Sequence, residues 1–293
     1  MSTPASINTT SQGFDFKMFL VYIVLTVFAV ITLIPFVYLL FSAFKTQDAF
    51  FTFVLWPTEG KWYQVDWDGF TFAHWKTLFL EAGILRATIN SFFISSVTAI
   101  LATLFSAMGG YALAKYRFKG RGIATVVVLG SLAIPFALLI APGYQLLYWL
   151  GLLDTYSGLI LPGVAPAFGV YLFRQAFISS LPDALIEAAR IDGCGDIRIF
   201  FQIALPMVRP MVGAFLLITY LATWNNFISP QIVIQSADKL PLSVFVAQLR
   251  GPYGTSWGMI MAGTLVAVTP VLVLFLLLQR DFIAGLTAGA VKG

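Results

Sequence analysis

Few residues of this 293-residue chain are equipped for covalent or metal chemistry. It has one cysteine, Cys194, and one histidine, His74, so a disulfide framework, a thiolate cluster and a two-histidine metal site are excluded, and because His74 lies in an aromatic loop no Cys/His nucleophile pair is expected. No metal site or catalytic residue is expected. Gly60-Lys61 lacks both the earlier glycine and the following Ser/Thr of a phosphate-binding loop, so the chain is not expected to bind or hydrolyse ATP. What it offers instead is a polar island between long apolar segments. The island is Glu187-Ala188-Ala189-Arg190-Ile191-Asp192-Gly193, closed by Ile203-Ala204-Leu205-Pro206. A second set of polar groups is uncharged: Asn90 and Ser91, and Trp224, Asn225 and Asn226. Aromatic faces and amides suit a hydroxyl-rich neutral cargo, through stacking and hydrogen bonds. The competing reading makes the same residues interfacial anchors and packing elements.

The island reads as two short helices joined by a turn. Ser180 is placed to cap the first, with Asp183 completing a capping box and Pro182 in the first turn. Asp192-Gly193 with Gly195 stops it. Asp196 is placed to cap the second, whose Ile197, Phe200, Phe201, Ala204 and Leu205 share a helical face. Pro206 ends that helix and Pro210 opens the next apolar run.

The elements around the island are membrane spans. The chain is 59% hydrophobic and only 10% charged, against about 25% charged for a soluble domain. The net charge of +4 is spread among apolar runs rather than gathered on a face, which argues against nucleic acid. After a polar segment 1–17, spans are expected near 19–43, 88–114, 123–141 (Pro135 near its middle), 157–177, 211–227 and 259–278, each of a length to cross a core of about 30 Å. The longest extramembrane stretch, 45–84, is rich in aromatics and carries His74. It is either a surface that meets a delivering protein or a belt on the headgroups. With a cytoplasmic amino terminus, the inner side gathers Lys115, Arg117, Lys119, Arg121, Arg190, Arg198 and Arg209 among others. The positive-inside rule thus puts both termini and the Glu187 loop in the cytoplasm. The fold class expected is an all-α polytopic membrane protein of six transmembrane helices.

No acidic or basic group falls in the interior of an expected span, which argues against ion coupling through a buried carboxylate and against a charged selectivity ring. Energy must then arrive from outside, and a cytoplasmic loop is a route for it. A secondary transporter would call for an inverted repeat and buried ionisable residues. A scaffold would need no such loop.

The Glu-Ala-Ala, Asp-Gly and Ile-x-Leu-Pro pattern resembles the EAA loop of binding-protein-dependent ATP-binding cassette importers. The ending Gln279-Arg280-Asp281-Phe282-Ile283-Ala284-Gly285-Leu286-Thr287, then Gly289-Ala290-Val291-Lys292-Gly293, is similar to their carbohydrate-uptake branch, as is Trp224-Asn225. In shape the chain looks like the smaller membrane subunits of maltose-type importers, over about residues 18–293. The resemblance implies a type I importer permease domain over 18–293, its coupling loop spanning 179–209. Glu187, Ala188, Ala189, Asp192, Gly193, Ile203, Leu205 and Pro206 would form the ATPase-coupling site, and Asn90, Ser91, Trp224, Asn225 and Asn226 the substrate pathway. The tail residues Lys292 and Gly293 would reach the ATPase. Implied partners are two copies of a cytoplasmic ATP-binding subunit, which hold ATP and Mg, a second permease subunit, and an extracytoplasmic sugar-binding protein. The implied location is a bacterial inner membrane. The alternative cargo is an amino acid or phosphate ester.

Overall fold

The computed structural model describes the backbone of residues 16–58, 61, 63–251 and 254–290, with the side chains of these except 251, 254–255 and 277–290. The tail residues Lys292 and Gly293, most of the 1–17 segment and Trp62 lie outside the described residues. Apart from a two-residue hairpin, Arg250–Gly251 with Gly254–Thr255, and two isolated bridges, the described regular structure is helical. Among the described residues, four helices or helix pairs are long and apolar enough to cross a membrane: Phe16–Ser42, Ile84–Lys115, Tyr156–Ser180 and Trp257–Leu276. Two sharply bent pairs raise the number to as many as six.

The first helix, Phe16–Ser42, has only Ser42 buried and packs on the last. A helix apolar all round needs lipid or another chain to cover it. The Ile84–Lys115 helix lies at the centre of the bundle. Ser91, Ser95, Ala99, Ala102, Ser106 and Gly110 are buried along it, recurring every three or four residues. Lipid tails are as apolar as leucine, so close packing of such small residues, rather than a hydrophobic gradient, holds membrane helices together. Its partner is the Ala167–Ser180 helix. A Cβ at Gly110 would stand 2.6 Å from the backbone nitrogen of Arg174, and one at Gly169 would strike Phe215 and Ser106.

The third span departs from expectation. It is not one helix over 123–141 but two, Arg121–Ser131 and Phe136–Trp149, bent by 106°. Pro135 lacks an N–H and disfavours helical geometry at the residue before it, so it breaks the span and caps the second piece instead of merely kinking one helix. The fourth span absorbs its prolines more gently. Pro162 sits in a 3-10 turn, Leu161–Gly163, and Pro166 precedes Ala167–Ser180.

The aromatic stretch after the first span is folded. Lys45 is fully buried and donates to the carbonyls of Phe53 (2.7 Å) and Val54 (3.0 Å), beneath the Tyr38 ring. His74 Nε2 donates to the Lys45 carbonyl at 2.9 Å; because a carbonyl only accepts, that nitrogen carries the proton. Phe44 and Trp75 stack at 5.2 Å. Phe51, Trp67 and Phe72 remain exposed, on a surface whose fold the lone histidine helps to hold.

Candidate functional site: the 183–208 loop

The polar island folds as two helical pieces, with several local differences from the reading of its sequence. Ser180 does not cap anything; it is the last residue of the preceding helix. Leu181 is extended and Pro182 takes the cap position of the Asp183–Ile191 helix. Asp183 stands in the first turn, where a negative charge favours the helix dipole. The helix ends as a Schellman motif. Gly193 takes φ +81°, its N–H donates to the Arg190 carbonyl (3.0 Å), and that of Cys194 donates to the Ala189 carbonyl (2.9 Å). Cys194 serves there as a small residue packed against the core.

Asp196 likewise is no cap. Gly195 fills that position, and the Asp196 carboxylate accepts from Arg190 at 3.0 Å, joining the two helices across the turn. Burial, then the same carboxylate, pushes the Tyr116 hydroxyl above its ordinary range. The second helix widens into a π turn at Phe200–Ala204 and continues to Met207, one residue past Pro206. Val208 then breaks it, and Arg209–Trp224 leaves at 83°, with Pro210 in its first turn.

The buried face also differs. Ile199, Phe200 and Ala204 enter the core with Phe177 and Tyr111, whereas Ile197 is 78% exposed and Phe201 faces outward. Both sets have helical spacing and share Phe200 and Ala204. The glycine turn sets the direction of the second helix and its contacts with the core fix the rotation that the pattern leaves open, with the half-exposed Arg190–Asp196 pair spanning the turn.

This rotation sorts the residues expected to form a coupling site. Ala189, Ile203 and Leu205 hold the loop to the bundle. Glu187, Ala188, Asp192, Gly193 and Pro206 are exposed, with Leu185 and Ile191, the latter 87% exposed. An open groove of about 560 Å³ adjoins them, lined by Gly195, Asp196, Ile197, Arg198, Phe201 and Gln202. Glu187 has no ion pair or hydrogen bond among the described residues. Apolar side chains ringed by unpartnered charge make a face suited to another protein.

The residues expected along a pathway are largely occupied with the fold. Asn90 Nδ2 donates to the carbonyls of Asp238 and Leu240, both at 3.0 Å, and its Oδ1 accepts from Tyr156 (2.9 Å). Ser91 Oγ accepts from the Leu242 N–H at 2.7 Å. Trp224 is buried, stacks on Tyr220 and donates to the Ala267 carbonyl (3.1 Å). Asn226 caps the next turn through Ser229, while Asn225 is exposed. Ser91 and Asn226 do come together, around a cavity of about 20 Å³ that also touches Ser95, Thr223 and Ser229. That is room for about one water, not a sugar.

Sequence reasoning missed Asp154, which ties the connection between the third and fourth spans to the segment 234–239. Its φ of 55° is left-handed, a conformation aspartate tolerates. The carboxylate accepts from the backbone N–H groups of Gln235 (3.0 Å) and Ser236 (2.9 Å), from Ser236 Oγ, and from Lys239 Nζ (2.8 Å). Lys239, then these Ser236 and Gln235 donors, hold its carboxyl far below the usual carboxylate range; the Asp154 partner raises Lys239. A depressed acid stabilises above its unfolded value of about 3.9 and fails as pH falls further. A raised lysine stabilises below about 10.4 and fails as pH rises through its folded value. Protection of 234–242 from proteolysis is therefore expected to be flat from about pH 5 to 9. Asp154→Ala should weaken it, leaving the Gln235 and Ser236 N–H groups and the Ser236 hydroxyl without their acceptor while Lys239 keeps the residue-154 carbonyl. Wild-type cleavage rates in that variant would contradict the role.

The profile of binding-protein-dependent transport system inner membrane components matches residues 106–284. An arabinooligosaccharide transport system permease protein of Halalkalibacterium halodurans is 44% identical over 217 residues, 74% of this chain and 77% of that one. The lactose transport system permease protein of Rhizobium radiobacter is 32% identical over 92% of this chain and 95% of its own. A sn-glycerol-3-phosphate transport permease of Yersinia pestis is 34% identical over 68% and 71%. A chain of a bacterial importer of the acidic polysaccharide alginate superposes with a TM-score of 0.77 at 20% identity, covering 96% of this chain and all of that one, which shows a shared fold. On the family match and these relatives, the chain belongs to the inner membrane components of binding-protein-dependent transport systems.

Proposed function

We propose that this chain is one of two membrane subunits of an ATP-driven importer of an oligosaccharide, and that the 183–208 loop is where ATP-binding subunits engage it. The observation that carries the proposal is the exposed face of Glu187, Ala188, Ile191, Asp192 and Ile197, set on a loop that the bundle grips from behind. Its relatives named for arabinooligosaccharides and lactose support the cargo class. In this reading the chain is not itself an enzyme. ATP and Mg sit in the partner subunits, and closure of two of these pushes the loop as a rigid body. The basic residues 115–121 and Arg198 mark the cytoplasmic side, giving six spans with both ends inside. An extracytoplasmic binding protein would then dock on the opposite side, on the described parts of the 45–82 unit and on the segment 234–251. Lys292 and Gly293 are proposed to reach the ATPase subunits.

Purification of a tagged copy in mild detergent, followed by mass spectrometry, tests this. The expected companions are a P-loop ATPase, a second six-span chain and a binding protein that retains an oligosaccharide. A chain that purifies without any ATPase would overturn the proposal.

A further inference from the structure

The basic cluster 115–121 accounts for membrane orientation, yet two of its members do something orientation does not require. Lys115, the last residue of the Ile84–Lys115 helix, has a side chain only 8% exposed. Its amine donates to the Leu181 carbonyl at 2.5 Å and to Asp183 Oδ1 at 2.7 Å. Leu181 and Asp183 flank Pro182, the cap of the Asp183–Ile191 helix. Arg121 donates to the carbonyls of Leu113 (2.8 Å) and Ala114 (3.0 Å), closing the end of the same long helix. One turn back, Tyr111 packs on Phe177, before the loop, and on Phe200, in the loop's second helix.

The far end of this helix is fastened as well. Asn90 and Ser91 hold the backbone of Asp238, Leu240 and Leu242 through the bonds described above. Between the two ends the helix runs unbroken for 32 residues, with no proline inside it, a length of about 48 Å. A lysine needed only to mark the cytoplasmic side would stay solvated, as Lys119 does; burying an amine is costly unless it is fully matched.

We propose that Lys115 is a positioning residue of the docking loop: it locks the start of the Asp183–Ile191 helix to the central span, so that displacement of the loop is carried to the outer segment held by Asn90 and Ser91. The inference rests on the importer reading above.

The test uses the assembled complex with its partner subunits, a nitroxide on Gln235→Cys in a Cys194→Ala background, and ATP plus vanadate as the probe. In the otherwise unaltered chain the spectrum of the outer label should change when ATP and vanadate are added. Lys115→Met should lose most of that change while ATP is still hydrolysed, Lys115→Arg should restore it in part, and Lys119→Met should leave it whole. A full spectral change in Lys115→Met would overturn the proposal. Should that variant fail to assemble, Asp183→Ala decides, because its side chain is 70% exposed and the substitution removes the carboxylate that accepts from Lys115; a full change there would overturn the proposal equally. A label in the unaltered chain that ignores ATP although ATP is hydrolysed would also overturn the proposal, whereas a chain that assembles with no ATPase would instead strike the importer reading.

Discussion

Gly193→Asp is expected to cut ATP-driven uptake by about tenfold, a loss of about 1.4 kcal/mol of productive docking, while the chain stays in the membrane at its normal level. The argument separates folding from contact. Gly193 has a φ of +81° and would present no neighbour within 4 Å to a new Cβ, so nothing collides. Left-handed backbone costs an ordinary residue about 1–2 kcal/mol and aspartate rather less. The Schellman bonds can therefore survive, and with them the packing of Ile186 and Ala189. What changes is the exposed tip, where a new carboxylate joins Glu187 and Asp192 on the face proposed to meet the ATPase subunit. Uptake and membrane level measured together check this. Wild-type uptake, or disappearance of the chain from the membrane, would contradict it.

Gly110→Leu is expected to act in the opposite way, removing the folded protein rather than its coupling. The new side chain would meet the Arg174 backbone nitrogen and the Phe173 Cβ at 2.6 Å. Backbone cannot rotate aside as a side chain does, so the two helices must separate along the seam that holds the bundle. Overpacking of this kind costs about 3 kcal/mol or more, and here it also forfeits the close contact that lipid cannot replace. Fluorescence-detected gel filtration after a heating series should show a large fall in melting temperature, or no folded peak. Gly130→Ala is the control, since nothing lies within 4 Å of that position. A Gly110→Leu protein that melts with the wild type would refute the packing account.

Much of the fold is legible in the sequence because the bilayer allows so few solutions: apolar runs of sufficient length must be helices. The stop at Gly193 is equally legible, since a glycine after Asp192 at a helix end has one obvious use. Rotation and breakage are not. Ile197 and Ile199 are both apolar, and the spacing alone admits either as the buried one; only the fold shows that Ile199 joins the core with Tyr111 and Phe177. Pro135 can kink a span or sever it, depending on whether neighbouring helices supply partners for the freed carbonyls. Caps were misread at Ser180 and Asp196 because each residue has a stronger use nearby, in continuing a helix and in pairing with Arg190.

The uncharged pathway residues illustrate a further limit. Asn90 and Ser91 have the chemistry to bind hydroxyl groups, and sequence cannot show that backbone carbonyls and an N–H some 150 positions away already satisfy them. Lys115 is the converse case. Its charge is visible, and membrane orientation explains it adequately, so nothing in the pattern singles it out from Lys119. Only burial beside Leu181 and Asp183 does so.

The central claim is that the face around Ile191 meets an ATP-binding subunit. A cysteine placed there, Ile191→Cys in a Cys194→Ala background, can be crosslinked in native membranes and the product identified by mass spectrometry. The account predicts a crosslink to a P-loop ATPase that weakens in Gly193→Asp. A cysteine that reacts freely with an impermeant reagent from outside the cell, and never with an ATPase, would contradict both the orientation and the docking site.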